Sequence, residues 1–232
     1  GRRTTMIVQQ ITIDNKVKNG EKIPGMKGIL DMALELKDSV MFHGAPGIGK
    51  SQGIYQWNAE QVAKRENWNP DVCDVRLSMK EPVDMVGIPI PTTVDGKPKT
   101  VWAIPSMWPD NKYSGGTILL DEINQGQPSI LNAAFQLIQD RALGEYKVPE
   151  GYVIVAAANP SCYNSTVTEL SVPLCNRFSH FNVKSDFDSW FNYRMNHNGN
   201  PMVLAFLKTQ DSSLLFDTKA FEDRIGSSID ED

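Results

Sequence analysis

The run Gly44-Ala45-Pro46-Gly47-Ile48-Gly49-Lys50-Ser51 has the residue types and spacing to wrap a polyphosphate in backbone N–H groups. Glycines at 44, 47 and 49 let the main chain approach a ligand that side chains would block. Lys50 is placed to reach the β- and γ-phosphates, and the Ser51 hydroxyl to ligate Mg²⁺. A helix opening at this point adds positive potential. The apolar run Ser39-Val40-Met41-Phe42-His43 just before it supplies the buried strand such a loop requires. A glycine turn capping an ordinary helix would share part of this pattern, but not the terminal Lys-Ser.

Three further elements carry chemistry. Gly116-Thr117-Ile118-Leu119-Leu120 is a continuous apolar run that ends in Asp121-Glu122-Ile123-Asn124, so two carboxylates leave a strand buried on both faces. Asp121 suits a Mg²⁺ shell and Glu122 the polarisation of an attacking water, although acids at such a place also cap helices. Tyr152-Val153-Ile154-Val155-Ala156-Ala157-Ala158 exits at Asn159-Pro160, where an amide can bond both a γ-phosphate and a water, or simply begin a turn. Leu174-Cys175-Asn176-Arg177-Phe178 offers a planar cation before another strand-like run, His180-Phe181-Asn182-Val183. An exposed arginine there is commonly just solvated.

In this order, GAPGIGKS, TILLDEIN, VAAANP and NRF resemble an AAA+ ATPase of the MoxR-like, dynein-related group, over about Ile29 to Leu207. The stretch from Gln125 to Tyr146 is similar to that group's helix after Walker B. The resemblance implies an α/β fold, a P-loop NTPase of AAA+ type, with a five-stranded parallel sheet in the order 5-1-4-3-2 between helices and a helical lid. It implies ATP and Mg²⁺ as cofactors, Lys50 and Ser51 as the Walker A pair, Asp121 and Glu122 as Walker B, Asn159 as sensor 1, and Arg177 as an arginine finger reaching a neighbouring subunit. It further implies a homo-oligomeric ring, usually a hexamer, that remodels a protein client, with partners that often carry a von Willebrand factor A domain. The lid's sensor 2 arginine, commonly in a Thr-Pro-Arg-Ser-Trp-like context, has no match here. Phe216 to Arg224 bears a faint likeness before an acidic end at Asp232, so the expectation is a lid that stops early.

The organisation expected is an N-terminal extension over 1–24, an α/β core over 25–184, and the start of a lid over 185–232. Ile7 to Ile13 alternates as an edge strand would, and Met26, Ile29, Leu30 and Leu34 are spaced for a helix. Gln52 to Arg65 continues the helix opened by the phosphate loop, and Val72 to Leu77 reads as the second core strand. Within the core, Ile88 to Ile104 holds two β-prone runs around Asp95-Gly96, a strong hairpin signal, with prolines that confine it to edge geometry. In related groups such a hairpin faces the ring pore, so residues 88–104 are the expected contact with a client. A smaller hairpin is expected before the fourth core strand, with Pro149-Glu150-Gly151 as its turn. Asp186 to Arg194 and Pro201 to Leu207 carry apolar stripes at helical spacing.

Composition agrees with one large α/β domain. The chain has 232 residues, 41% of them hydrophobic, and a net charge of −5. That acidity argues against nucleic acid as the default partner. Cys73, Cys162 and Cys175 lack metal or disulfide spacing, His43, His180 and His197 are scattered, and no apolar run approaches the ~18 residues of a membrane span. The expectation is a cytoplasmic protein with reduced thiols. Two other function classes stay open: an AAA+ motor acting on nucleic acid, such as a helicase loader or restriction-type translocase, and a module in which ATP is only an assembly switch. The loop reads phosphates and so does not choose between ATP and GTP.

Overall fold

The computed structural model describes residues 11–12, 25–159, 170–184, 187–197 and 199–209. The chain divides into two units, Gly1–Val183 and Lys184–Asp232.

In chain order the first unit contains β1 (Ile11–Thr12), α1 (Met26–Leu36), β2 (Val40–His43), α2 (Lys50–Lys64), β3 (Cys73–Arg76), α3 (Pro82–Val86), β4 (Ile88–Val94) and β5 (Lys97–Ala103). It continues with β6 (Gly116–Asp121), α4 (Pro128–Asp140), β7 (Ala142–Leu143), β8 (Tyr146–Lys147), β9 (Tyr152–Ala158), α5 (Val172–Cys175) and β10 (Ser179–Asn182). Six strands form one sheet in the order β1-β10-β2-β9-β6-β3, with every pairing parallel. The five from β10 to β3 reproduce the expected 5-1-4-3-2 order, and β1 extends the β10 edge.

Parallel sheets are covered on both faces, so their strands read as unbroken apolar runs. Every residue of β9 is buried, as are the first five of β6. Alternation sends Met41, Ile118, Leu120 and Ile154 to one face, where α4 packs through Ile130, Ala134 and Leu137. Val40, Phe42, Leu119 and Val155 face the other way, onto Ile29 and Leu30 of α1 and Ile54 and Trp57 of α2. The helices are pinned as well as packed. Asp31 accepts from Trp57 Nε1 at 2.8 Å and from Gln61 Nε2 at 3.0 Å, which ties α1 to α2. Buried Asn58 accepts from Thr117 of β6 and Trp68, both at 2.8 Å, and so fixes α2 against the sheet.

β4 and β5 pair antiparallel, from Ile88 opposite Ala103 to Val94 opposite Lys97. Asp95 and Gly96 both have positive φ, 51° and 73°, as a type I′ turn requires. Val94 and Lys97 then form the closing hydrogen-bonded pair, so Pro89, Pro91 and Pro98 all fall at non-bonded positions where the missing N–H would point outward. The prolines cost the hairpin no hydrogen bonds and blunt its outer edges against added strands.

The second, smaller hairpin differs from the sequence expectation. Its strands are β7 and β8, and its turn is Gly144-Glu145 rather than Pro149-Glu150-Gly151. Gly144 has φ 60° while Glu145 does not enter the left-handed region, the pattern of a type II′ turn with glycine first. The Pro-Glu-Gly turn instead leads directly into β9, with Tyr152 N–H on Pro149 O at 3.3 Å.

The second unit comprises α6 (Phe187–Asn196) and α7 (Pro201–Thr209). Asn200 caps α7, its Oδ1 accepting from Met202 N at 3.0 Å, and Leu204 is buried. Phe216 to Asp232, Cys162 and most of the N-terminal extension lie outside the described residues. Among the described residues no helix is long and apolar enough to cross a membrane.

Candidate functional site

The phosphate loop runs from the exit of β2 to the first turn of α2. Two different constraints impose its glycines. A Cβ on Gly44 would lie 2.5 Å from both Ile48 Cδ1 and Val183 O, so the loop closes only without one. Gly47 and Gly49 have open space around them but φ of 77° and 93°, which side chains disfavour. Pro46, Gly47 and Gly49 are exposed while Ala45 and Ile48 are half-buried, leaving an open cradle of main chain.

Lys50, only 7% exposed, turns back into this cradle. Its Nζ donates to Gly44 O at 2.6 Å, Ala45 O at 2.9 Å and Asn159 Oδ1 at 2.9 Å. Burial pushes its pKa down to about 8, with Asp121 and Glu122 acting in the opposite sense. An ammonium held by three neutral oxygens in a desolvated place is a site prepared for a stronger anion. Beside it, Ser51 Oγ donates to Asp121 Oδ2 at 2.9 Å. A hydroxyl and a carboxylate within one ion's reach are a hard-oxygen donor set that fits Mg²⁺. The cradle, the lysine and this pair fit a magnesium-bound triphosphate.

Glu122 follows Asp121 in the left-handed region, φ 53°, a conformation costing about 1 kcal/mol or more in a residue with a Cβ. The turn parts the two acids. Asp121 stays with Ser51, while Glu122 Oε2 accepts from Ser78 Oγ at 2.6 Å, in the short 3₁₀ turn after β3. Asn159 is held from behind by Asn124, whose Nδ2 donates to Asn159 O and whose Oδ1 accepts from Asn159 N at 3.3 Å. That brace points the Asn159 side chain at Lys50.

The structure therefore brings Lys50, Ser51, Asp121 and Asn159 together, with Glu122 adjacent but turned to Ser78. Arg177 is elsewhere. It is exposed, donates to Gln139 Oε1 at 2.9 Å, and lies 5.8 Å over the Phe135 ring, both on α4. Sequence reasoning missed Ser78, Asn124 and the contact between His43 and His180. Asn124 alone carried a signal, as a polar residue following the acid pair at the end of an apolar run.

No known family model matches the chain. Among solved structures, a presumed ATPase from Cytophaga hutchinsonii is similar with a TM-score of 0.53 and 18% identity, covering 75% of this chain and 51% of that one. A lysine-to-arginine mutant of RuvB from Thermotoga maritima gives a TM-score of 0.47 and 15% identity over 74% of this chain and 51% of that one. The chain thus spans about half the length of each. Identity this low speaks to the fold, and with the observed strand order and loop the fold is that of a P-loop NTPase of AAA+ type.

Proposed function

We propose that this chain is a Mg²⁺-dependent AAA+ ATPase that uses ATP to drive conformational work on a protein client, as the MoxR-like resemblance implies. The observation that carries the reading is the convergence of Lys50, Ser51, Asp121 and Asn159 at the carboxyl ends of β2, β6 and β9. Ligands of open α/β sheets bind at this edge.

Bound Mg²⁺ would neutralise phosphate charge and orient the β- and γ-oxygens, with Ser51 and Asp121 holding it. Lys50 exchanges the carbonyls of Gly44 and Ala45 for phosphate oxygens, which relieves the cost of its burial. Asn159, fixed by Asn124, presents its amide where the γ-phosphate and a water meet. Glu122 accepts the water's proton once its carboxylate leaves Ser78. Arg177 serves a neighbouring subunit in a ring, where its planar charge meets the transferring phosphoryl group. The β4–β5 hairpin supplies the client contact: Ile88, Ile90, Val94 and Val101 are each at least 40% exposed, and the blocked edges leave recognition to side chains.

Calorimetry and phosphate release test the reading together. Lys50→Ala should lose nucleotide binding, and Glu122→Gln should bind ATP with turnover largely abolished. Wild-type protein that takes up no nucleotide with magnesium present overturns the proposal. Hydrolysis stimulated by DNA in a salt-sensitive manner would transfer the reading to a nucleic-acid motor.

A further inference from the structure

His43 closes β2 immediately before Gly44, and His180 lies in the neighbouring strand β10. The register pairs Met41 with His180 and His43 with Asn182, so the two histidines are diagonal neighbours on one face of the sheet. Their rings stack with centroids 5.0 Å apart, and His43 Nε2 lies 2.7 Å from His180 Nδ1. The other nitrogen of His180, Nε2, lies 2.7 Å from Cys175 O. A carbonyl oxygen only accepts, so His180 carries its proton on Nε2. In the neutral pair its Nδ1 must then accept from His43 Nε2–H. The result is a directed chain, His43 to His180 to the Cys175 carbonyl.

That carbonyl ends α5, two residues before Arg177. Arg177 N–H bonds Leu174 O at 3.1 Å, Phe178 N–H bonds Cys175 O at 3.1 Å, and buried Phe178 meets the His180 ring edge-on at 6.4 Å. The histidine chain therefore joins the strand that feeds the phosphate loop to the turn that bears the arginine. Two facing N–H groups would break it, so it tolerates at most one extra proton. Burial, the His180 ring and the Lys50 ammonium push the His43 pKa down to about 4, which keeps His43 neutral at pH 7.

We propose that His43 and His180 are positioning residues that lock the Arg177 turn to the phosphate-loop strand, so that nucleotide in one subunit sets how Arg177 is offered to the next. This rests on the ATPase reading above. His180→Phe keeps the ring volume and removes both hydrogen bonds. It should leave nucleotide affinity within about twofold while kcat falls about tenfold or more. In an Arg177→Ala background the same change should cost nothing further, because the two act through one route. His43→Gln, which still offers an N–H to His180, should retain most of the turnover. Histidine ¹⁵N spectra of the full chain should show both rings protonated at Nε2 at pH 7.

Additive losses in the double variant, unchanged kcat in His180→Phe, or a His180 proton on Nδ1 alone overturn the link and leave the ATPase intact. Wild-type protein that neither binds nor hydrolyses ATP overturns the ATPase reading, and the link with it.

Discussion

Replacing Asn124 isolates the brace behind Asn159. The residue is 7% exposed, and its two side-chain bonds satisfy both backbone groups of Asn159. Asn124→Ala leaves that N–H and C=O without these partners, the ones they have among the described residues. A stranded buried group costs about 1–3 kcal/mol, and Asn159 is half-buried rather than fully enclosed, so the loss should total about 2–3 kcal/mol. For a chain of this size that lowers Tm by about 4–12 °C. Urea unfolding followed by tryptophan fluorescence measures it, since Trp57 and Trp68 are buried within the same unit. Nucleotide binding should survive, because the Gly44 and Ala45 carbonyls still hold Lys50 in the cradle until phosphate replaces them, while turnover falls as Asn159 loses its aim. Asn124→Asp sharpens the test. It keeps an acceptor for the Asn159 N–H but sets a carboxylate oxygen against Asn159 O, so it should destabilise at pH 7; burial and the facing carbonyl raise the carboxyl's folded pKa, so the loss should shrink as pH falls through that raised value and be gone by about pH 4. An Asn124→Asp protein as stable as wild type at pH 7 would refute the brace.

Three other side-chain contacts have measurable consequences. Ser78→Ala removes the hydrogen bond that holds Glu122 away from the phosphate side, so basal ATP turnover should rise severalfold, up to about tenfold for a bond to a charged group; a fall would instead make Ser78 an aid to catalysis. His43 has a folded pKa of about 4 against 6.5 in the unfolded chain, so the folded state binds fewer protons, and this contribution is complete above pH 6.5 and lost as pH drops through 4. With partial exposure discounted, wild type should lose about 2 kcal/mol more than His43→Gln over that window, and parallel acid-unfolding curves would contradict it. On the proposed reading, Glu122→Gln protein that holds ATP without turnover should retain its client in a pull-down; Ile90 and Val101 face each other across the hairpin in the open, so changing both to Thr should alter stability by no more than about 1 kcal/mol while releasing that client, and undiminished retention would clear the hairpin of client contact.

What the sequence made legible was whatever its chemistry writes locally. The strands β6 and β9 are unbroken apolar runs because both faces are covered, and the phosphate loop is a contiguous string because backbone must wrap the ligand without interruption. The Asp95-Gly96 hairpin was readable because only a few residue pairs tolerate two positive φ values. The smaller hairpin was misplaced by a turn because Pro149-Glu150-Gly151 is the louder signal, while a lone Gly144 suffices for the type II′ turn that forms. Ser78 with Glu122, Asn124 with Asn159, and His43 with His180 were invisible for another reason. Each joins residues 44, 35 and 137 positions apart, so only the folded sheet reveals the pair. Arg177 was found as a type but not as a place, since its resting contact with α4 depends on how that helix lies over the sheet.

That resting contact bears on how freely the arginine could act in the proposed ring. Arg177 is held by one exposed hydrogen bond to Gln139 and one ring contact with Phe135. At an exposed site each is worth about 1 kcal/mol or less, because water replaces the first and screens the second. Withdrawing Arg177 from α4 therefore costs about 1–2 kcal/mol, little beside the gain from meeting a desolvated phosphoryl group. The Lys50 ammonium is different, buried and bonded to three oxygens, and is not free to leave without a replacement anion. On the proposed reading the site is thus rigid where a phosphate would be received and loosely held where a neighbouring subunit would be reached, and the histidine pair lies on the route between the two.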